Sequence, residues 1–160
     1  QLAAADAKII FGVGFLFTDD SKTLAKDFPA KKFACVDFTV TANETLPPNL
    51  LALKFKEEEG SFLVGALAAL LSKTHKIGFV GGMQIPLIQK FQAGFVAGAK
   101  AVDPKCEVLV KHAGNDGKAF KDPTKEKELA LAEYQGGADN NFPASGSTGL
   151  GVFGPGPALT

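Results

Sequence analysis

The chain has 160 residues, 46% of them hydrophobic, and its 17 basic and 17 acidic residues cancel to a formal charge of zero. None of the basic residues is arginine. The absence of a guanidinium fork and of any basic run argues against a nucleic-acid partner. Length and apolar content suffice for the core of one ordinary domain, and no apolar run reaches the length of a membrane span.

Lys8 to Val13 (KIIFGV) is a short apolar run closed by Gly12 and Gly14, the pattern of a buried parallel strand ending in a tight turn. Thr18 or Asp19 caps a helix to about Lys26, stopped by Phe28-Pro29. Lys32 to Phe38 (KFACVDF) is the next strand, with Asp37 at its carboxyl end. Thr39 to Asn49 is polar, holds Pro47-Pro48 and reads as a connector. Leu50 to Phe55 is a third strand whose alternation suits a sheet edge.

Glu57 to Ser72 is a helix with three glutamates in its first turn, where the helix dipole favours negative charge. Its Gly60, Gly65 and alanines predict close approach of helix to sheet. Lys76 to Gly81 (KIGFVG) is a fourth strand, handing over through Gly81-Gly82-Met83 to a helix over Pro86 to Val102. Ile88, Phe91, Phe95 and Ala99 mark the inner face of that helix. Glu107 to His112 is a fifth strand, and Asp122-Pro123 opens a helix that runs to Tyr134 before Gly136-Gly137 stops it.

A sixth strand is due at Asn140-Asn141-Phe142-Pro143, yet two asparagines and a proline are poor material for a central strand. The Gly-rich SGSTGLGVF follows, and the glycine–proline tail from residue 154 reads as irregular. Strand and helix alternate throughout, which predicts an α/β fold with a parallel sheet covered on both faces. The chain opens on Gln1 rather than Met and enters a strand almost at once, as an excerpt of something longer would.

Catalytic equipment is sparse. No GxSxG, HExxH or Walker-type GxxxxGK[ST] occurs, and Gly12-Val13-Gly14 lacks the third glycine of a dinucleotide fingerprint. His75 and His112 have no carboxylate at a metal-ligand spacing, so neither a metal nor another cofactor is expected. Cys35 and Cys106 lie in apolar runs and read as buried small hydrophobes. The turn at Gly81-Gly82-Met83 falls at the carboxyl edge of a parallel strand, where open α/β sheets bind small ligands. Together these features point to a binder and not to an enzyme.

Several blocks resemble the basic-membrane-lipoprotein family, the purine-nucleoside receptor group of ABC-transporter substrate-binding proteins. They are FGVGFLF at Phe11 to Phe17, KFACVDF at Lys32 to Phe38, FKEEEGSFLVGALAALLSK at Phe55 to Lys73 and KIGFVGGMQIPLIQKFQAGFVAGAKAV at Lys76 to Val102, with SGSTGLGVF at Ser145 to Phe153. The resemblance implies a periplasmic-binding-protein type I-like architecture of two hinged α/β lobes, incomplete here because the family's chains are roughly twice this length. On that scheme residues 1–46 belong to the first lobe, 47–153 form most of the second and 154–160 are the tail.

The implied function is extracytoplasmic capture of a purine nucleoside between the lobes, for uptake through a membrane permease. The implied location is the periplasm or the outer face of the cell membrane, reached through a lipid anchor not present in this chain. The alternatives are a ligand-sensing regulator of the same fold or a non-functional fragment. Phe142 falls in the block matching the family's stacking aromatic, and Asp37 at its strand end is placed to accept hydrogen bonds from a ribose diol. Phe15, Met83 and the Ser145-Gly146 turn would shape the cavity. Each has a plainer reading: core packing for the rings and Met83, turn capping for Asp37 and steric need for the small-residue turn.

Overall fold

The structure is a computed structural model describing residues 6–41 and 43–153. The tail expected at 154–160 and the opening residues lie outside the described part. The chain divides into two compact units, one ending at Phe55 and the other starting at Lys56.

The first unit is a parallel sheet in the order β1-β2-β3, built from β1 (Ile9–Val13), β2 (Lys32–Val36) and β3 (Leu50–Leu53). A 3-10 turn at Phe15–Phe17 leads into helix α1 (Thr18–Asp27), which connects β1 to β2. Phe33 and Cys35 of β2 meet Ala25 of α1, Phe38 and Leu50 in a small core. Asn49 ties this unit together. Its Nδ2 donates to the carbonyls of Ala25, Phe28 and Lys31 at 2.8, 3.3 and 2.9 Å, joining the end of α1 to the start of β3. The sequence placed the change of lobe at residue 47. The pairing of Phe33 with Leu50 instead carries β3 into the first sheet, and the compact units part at 55/56.

The second unit holds a parallel sheet in the order β5-β4-β6, from β4 (Lys76–Met83), β5 (Glu107–Gly114) and β6 (Asn140–Ala144). Helices α2 (Glu57–Leu71) and α3 (Pro86–Val102) pack on one another, and α4 (Pro123–Gln135) links β5 to β6. Short 3-10 segments at Gly117–Phe120 and Gly146–Phe153 flank α4. β4 is the central strand, and Ile77, Phe79 and Val80 have no exposed surface. They suit a strand buried on both faces. Phe95 and Ala99 of α3, Ile88 and Cys106 complete the core.

β6 forms in spite of its composition. It lies at the sheet edge, where a proline is tolerated. Its two faces do different work. Phe142 packs into the core, whereas Asn141 donates through Nδ2 to the Glu133 carboxylate of α4. The glycines of α2 and α3 also act differently from the expectation. A Cβ on Gly65 would collide with the Phe95 backbone, and one on Gly94 with the Glu58 backbone, so the close approach is helix on helix. Gly60 meets nothing within 4 Å.

Candidate functional site: the carboxyl rims of the two sheets

Parallel strands all end on the same side, so each sheet has one rim where loops collect. In the first unit that rim holds Gly14, Phe15 and Asp37. Gly14 has φ 105°, in the region that favours glycine, and its N–H donates to the Val36 carbonyl at 3.1 Å. Phe15 follows in the 3-10 turn and is half-buried. With Leu16, Thr18, Lys22, Thr39 and Thr41 it lines a rim cavity of about 330 Å³.

Asp37 follows β2 directly and adopts φ 59°, a left-handed conformation that aspartate accepts more readily than most residues. This reversal buries Phe38 to 1% exposure, and the next amide, of Thr39, donates to Thr18 Oγ1 at 3.1 Å. Lys22 crosses the same region, pairing with Glu44 at 2.8 Å and lying 5.3 Å from the Phe38 ring centroid. The Lys22 hydrogen bond holds the Glu44 carboxyl below the ordinary carboxylate range. A larger concavity of about 620 Å³ lies along β1 and α1, lined by Phe11, Val13, Phe17, Leu24 and Phe33 with Asp20 and Ser21.

In the second unit the rim is made by the ends of β4, β5 and β6. Met83 closes β4 opposite Gly114, and Gly81 stands opposite both His112 and Ala144. Ser145 and Gly146 continue directly from Ala144, so the structure brings Met83, Ser145 and Gly146 to one edge. Gly146 turns the chain with φ 61°. Ser145 is 1% exposed, so its side chain is turned inward, and Gly146 and Ser147 form the open part of the turn.

Phe120, which the sequence did not single out, and His112, weighed there only as a metal ligand, stand at this rim. Phe120 ends the 3-10 segment after β5, and its ring packs against the bare Cα of Gly82, where a Cβ would overlap it. The Ser147 hydroxyl donates to the Phe120 carbonyl at 2.7 Å and fixes the two loops together. His112 lies beside Gly81 with its Nε2 buried and without a hydrogen-bond partner, and burial pushes its pKa down. The signal for both was their position after an expected strand, but nothing in the local pattern set them apart.

Phe142 is the correction. Its ring stacks on Phe95 with centroids 5.2 Å apart and meets the Phe79 ring edge-on at 5.9 Å. It is opposite Phe79 in the middle of β6. A residue at that register projects into the layer beneath α3, so its aromatic partners are intramolecular. The rim aromatic of this unit is Phe120.

Among the described residues no three His, Cys, Asp or Glu side chains gather to hold a metal ion. Cys35 and Cys106 are free thiols without exposed surface, as their apolar settings predicted. No described helix is long and apolar enough to cross a membrane. Two three-stranded parallel sheets flanked by helices define a protein of α/β architecture, the first with a cavity at its rim.

Residues 1–155 match the family described as ABC transporter substrate-binding protein PnrA-like, and the chain belongs to that family. It is a family of substrate-binding proteins and not of enzymes. The chain is 39% identical over 149 residues to the CD4+ T-cell-stimulating antigen of Listeria monocytogenes, covering 93% of this chain and 40% of that protein. It is 38% identical over 152 residues to the ABC transporter nucleoside-binding protein BmpA of Lactococcus lactis, covering 95% of this chain and 41% of the relative. Among solved structures it is similar to an ABC transporter solute-binding protein from Aeropyrum pernix K1, with a TM-score of 0.77 and 29% identity over 91% of this chain and 41% of the other. The chain thus spans about two-fifths of the length of the relatives it matches.

Proposed function

We propose that this chain is part of an extracytoplasmic ABC-transporter receptor that captures a purine nucleoside and delivers it to a membrane permease. The observation that carries the reading is the rim of the second unit. There Phe120 is braced against Gly82 and tied by Ser147, and Met83 and the Ser145-Gly146 turn stand on the same edge. An aromatic face, a soft thioether and a turn with open polar groups suit a flat, neutral ligand. The nucleoside-binding name of the Lactococcus lactis relative points the same way.

In this reading Phe120 meets the base, with stacking worth about 1–3 kcal/mol. Asp37 accepts the hydrogen bonds of the ribose hydroxyls, and Phe15 walls the first rim. Capture involves no covalent step, so the residues bind and orient only. The test is calorimetric titration of the full-length protein with inosine, guanosine and adenosine. Saturable heat with at least one of them is expected, and its loss by tenfold or more in Asp37→Asn. Asparagine keeps the left-handed conformation at that position but replaces the charge and one accepting oxygen by an N–H donor. No binding of any nucleoside by the folded full-length protein would reject the reading.

A further inference from the structure

The face of α4 turned toward the sheet carries two carboxylic acids where a helix normally carries apolar residues. Glu126 and Glu133 are two helical turns apart and have no exposed surface. No cation pairs with either among the described residues. Glu133 accepts from Asn141 Nδ2, the Phe79 amide lies near enough to favour its charged form, and its Oε1 has no partner of ordinary geometry. Neither Glu126 oxygen has a hydrogen bond of ordinary geometry, although the Ser145 hydroxyl lies near enough to stabilise its charged form. Ser145 Oγ and Asn141 Oδ1 are likewise buried without partners.

We propose that this cluster is a proton-operated latch beneath the second rim: with both acids neutral α4 stays seated, and loss of their protons loosens the Ser145-Gly146 turn. Ionising a buried carboxylate that no cation pairs is unfavourable, so it must be met by movement or by entry of water. The connection to the rim is direct. The α4 cap residue Asp122 donates its N–H to Thr148 Oγ1 at 2.7 Å, and Thr148 is fully buried. Ser147 next to it holds the Phe120 carbonyl. A shift of α4 therefore pulls on the turn and on the loop that carries Phe120.

The surroundings favour the neutral acids. Burial raises Glu126 to about 7 and Glu133 to about 8. Lys111 of β5 is the charge that opposes this at Glu133, while Glu126 itself adds to it. β4 brings Gly78 against Glu133, β6 brings Asn141, and the 3-10 segment after β6 brings Ser145 and Thr148, none of them charged. Tyr134, beside Glu133 on α4, is itself pushed up, first by burial and then by the Glu133 charge. Folded pKa values above the ordinary 4.5 mean that the fold holds protons the unfolded chain has released. The stabilisation is complete below about pH 4.5 and is lost as pH rises through about 7 to 8.

As a control on ligand retention the latch rests on the nucleoside reading; as a conformational device it does not. The test is hydrogen exchange of the full-length protein, without ligand, at about pH 6 and about pH 8.5, corrected for intrinsic exchange rates. The wild type should lose at least tenfold protection in α4 and in residues 145–149 at the higher pH, and the Glu126→Gln/Glu133→Gln double variant should not. The wild-type carboxyl infrared band supplies a readout that needs no variant. Protonated carboxyl absorption persisting above about pH 6 is expected. Full ionisation by that pH, pH-independent protection in the wild type, or a loss that survives in the double variant would overturn the proposal.

Discussion

Gly98 of α3 rests directly on the Phe62 carbonyl of α2. A Cβ on Gly98 would lie 2.7 Å from that carbonyl carbon and closer still to its oxygen. The same contact recurs at Gly94 over Glu58 and, in the opposite sense, at Gly65 against Phe95. Three bare Cα atoms set the spacing of the two helices, and Ser61 adds a hydrogen bond to the Phe91 carbonyl at 2.5 Å. The Glu57–Lys90 pair, at 3.0 Å, joins the same two helices nearer the solvent.

Gly98→Ala should therefore destabilise the second unit by about 2 kcal/mol or more, because the backbone it meets cannot turn aside. Gly60→Ala, at an open position of α2, should instead stabilise by about 0.5–1 kcal/mol through helix propensity. Urea denaturation of both variants measures the contrast. Equal effects would show that the helix spacing is not set by the glycines.

The two aromatic residues near β6 should separate stability from binding. Phe142→Ala removes a ring packed on Phe95 and Phe79 and should cost about 3 kcal/mol in unfolding free energy. Phe120→Ala should cost less stability but weaken nucleoside binding by tenfold or more. Denaturation and calorimetry on the same two full-length variants read both quantities. The reverse assignment would return the stacking role to Phe142.

Asn49 offers a test within the first unit. Its Nδ2 serves three carbonyls at the end of α1, and the Asn49→Ala variant leaves them without that donor. A loss of about 1–3 kcal/mol is expected for buried groups left unpaired. Amide exchange across Ala25 to Lys31 should speed up, since those carbonyls anchor the turn between α1 and β2.

Acid pH should act through the His75–Asp103 pair, whose side chains meet at 2.6 Å at the start of β4 and the end of α3. The His75 hydrogen bond, aided by the Lys105 amide, holds the Asp103 carboxyl below its ordinary 3.8. A lowered folded pKa gives stability that is present above about pH 4 and lost as pH falls through the folded value. Asp103→Asn should flatten the fall in melting temperature between about pH 5 and about pH 3 relative to the wild type.

The elements and their order were legible in the chain because hydrophobic period and turn residues act locally. KFACV and KIGFVG announced buried parallel strands, and Asp122-Pro123 announced a helix start that the Asp122 carboxylate does cap, accepting from the Lys125 amide at 3.0 Å. KIIFGV, read as buried, forms instead an edge strand with Ile9, Phe11 and Val13 exposed, because among the described residues only β2 lies beside it. The Ser145-Gly146 turn was visible because turn residues act locally, whereas Gly81-Gly82-Met83, read as a turn, continues β4 to its end and pairs with β5. NNFPA was not, since a strand that poor in apolar residues becomes one only where an edge position accepts the proline and Glu133 accepts from Asn141.

What the chain determined by itself was therefore an alternating α/β order, a set of strand ends with small-residue turns, and membership of a binding-protein family. Only tertiary packing decided which ring stands beside the end of β4 and which in the middle of β6, because Phe120 and Phe142 are chemically identical, pack against the same core and differ in what lies opposite them. It also took two acids of an otherwise ordinary charged run, Lys118 to Glu128 and onward to Glu133, out of water, Glu133 against Gly78 and Asn141 and Glu126 beside Ser145 and Gly151. Local sequence carries period and propensity; the free energy of a buried group depends on partners that the chain supplies from far away.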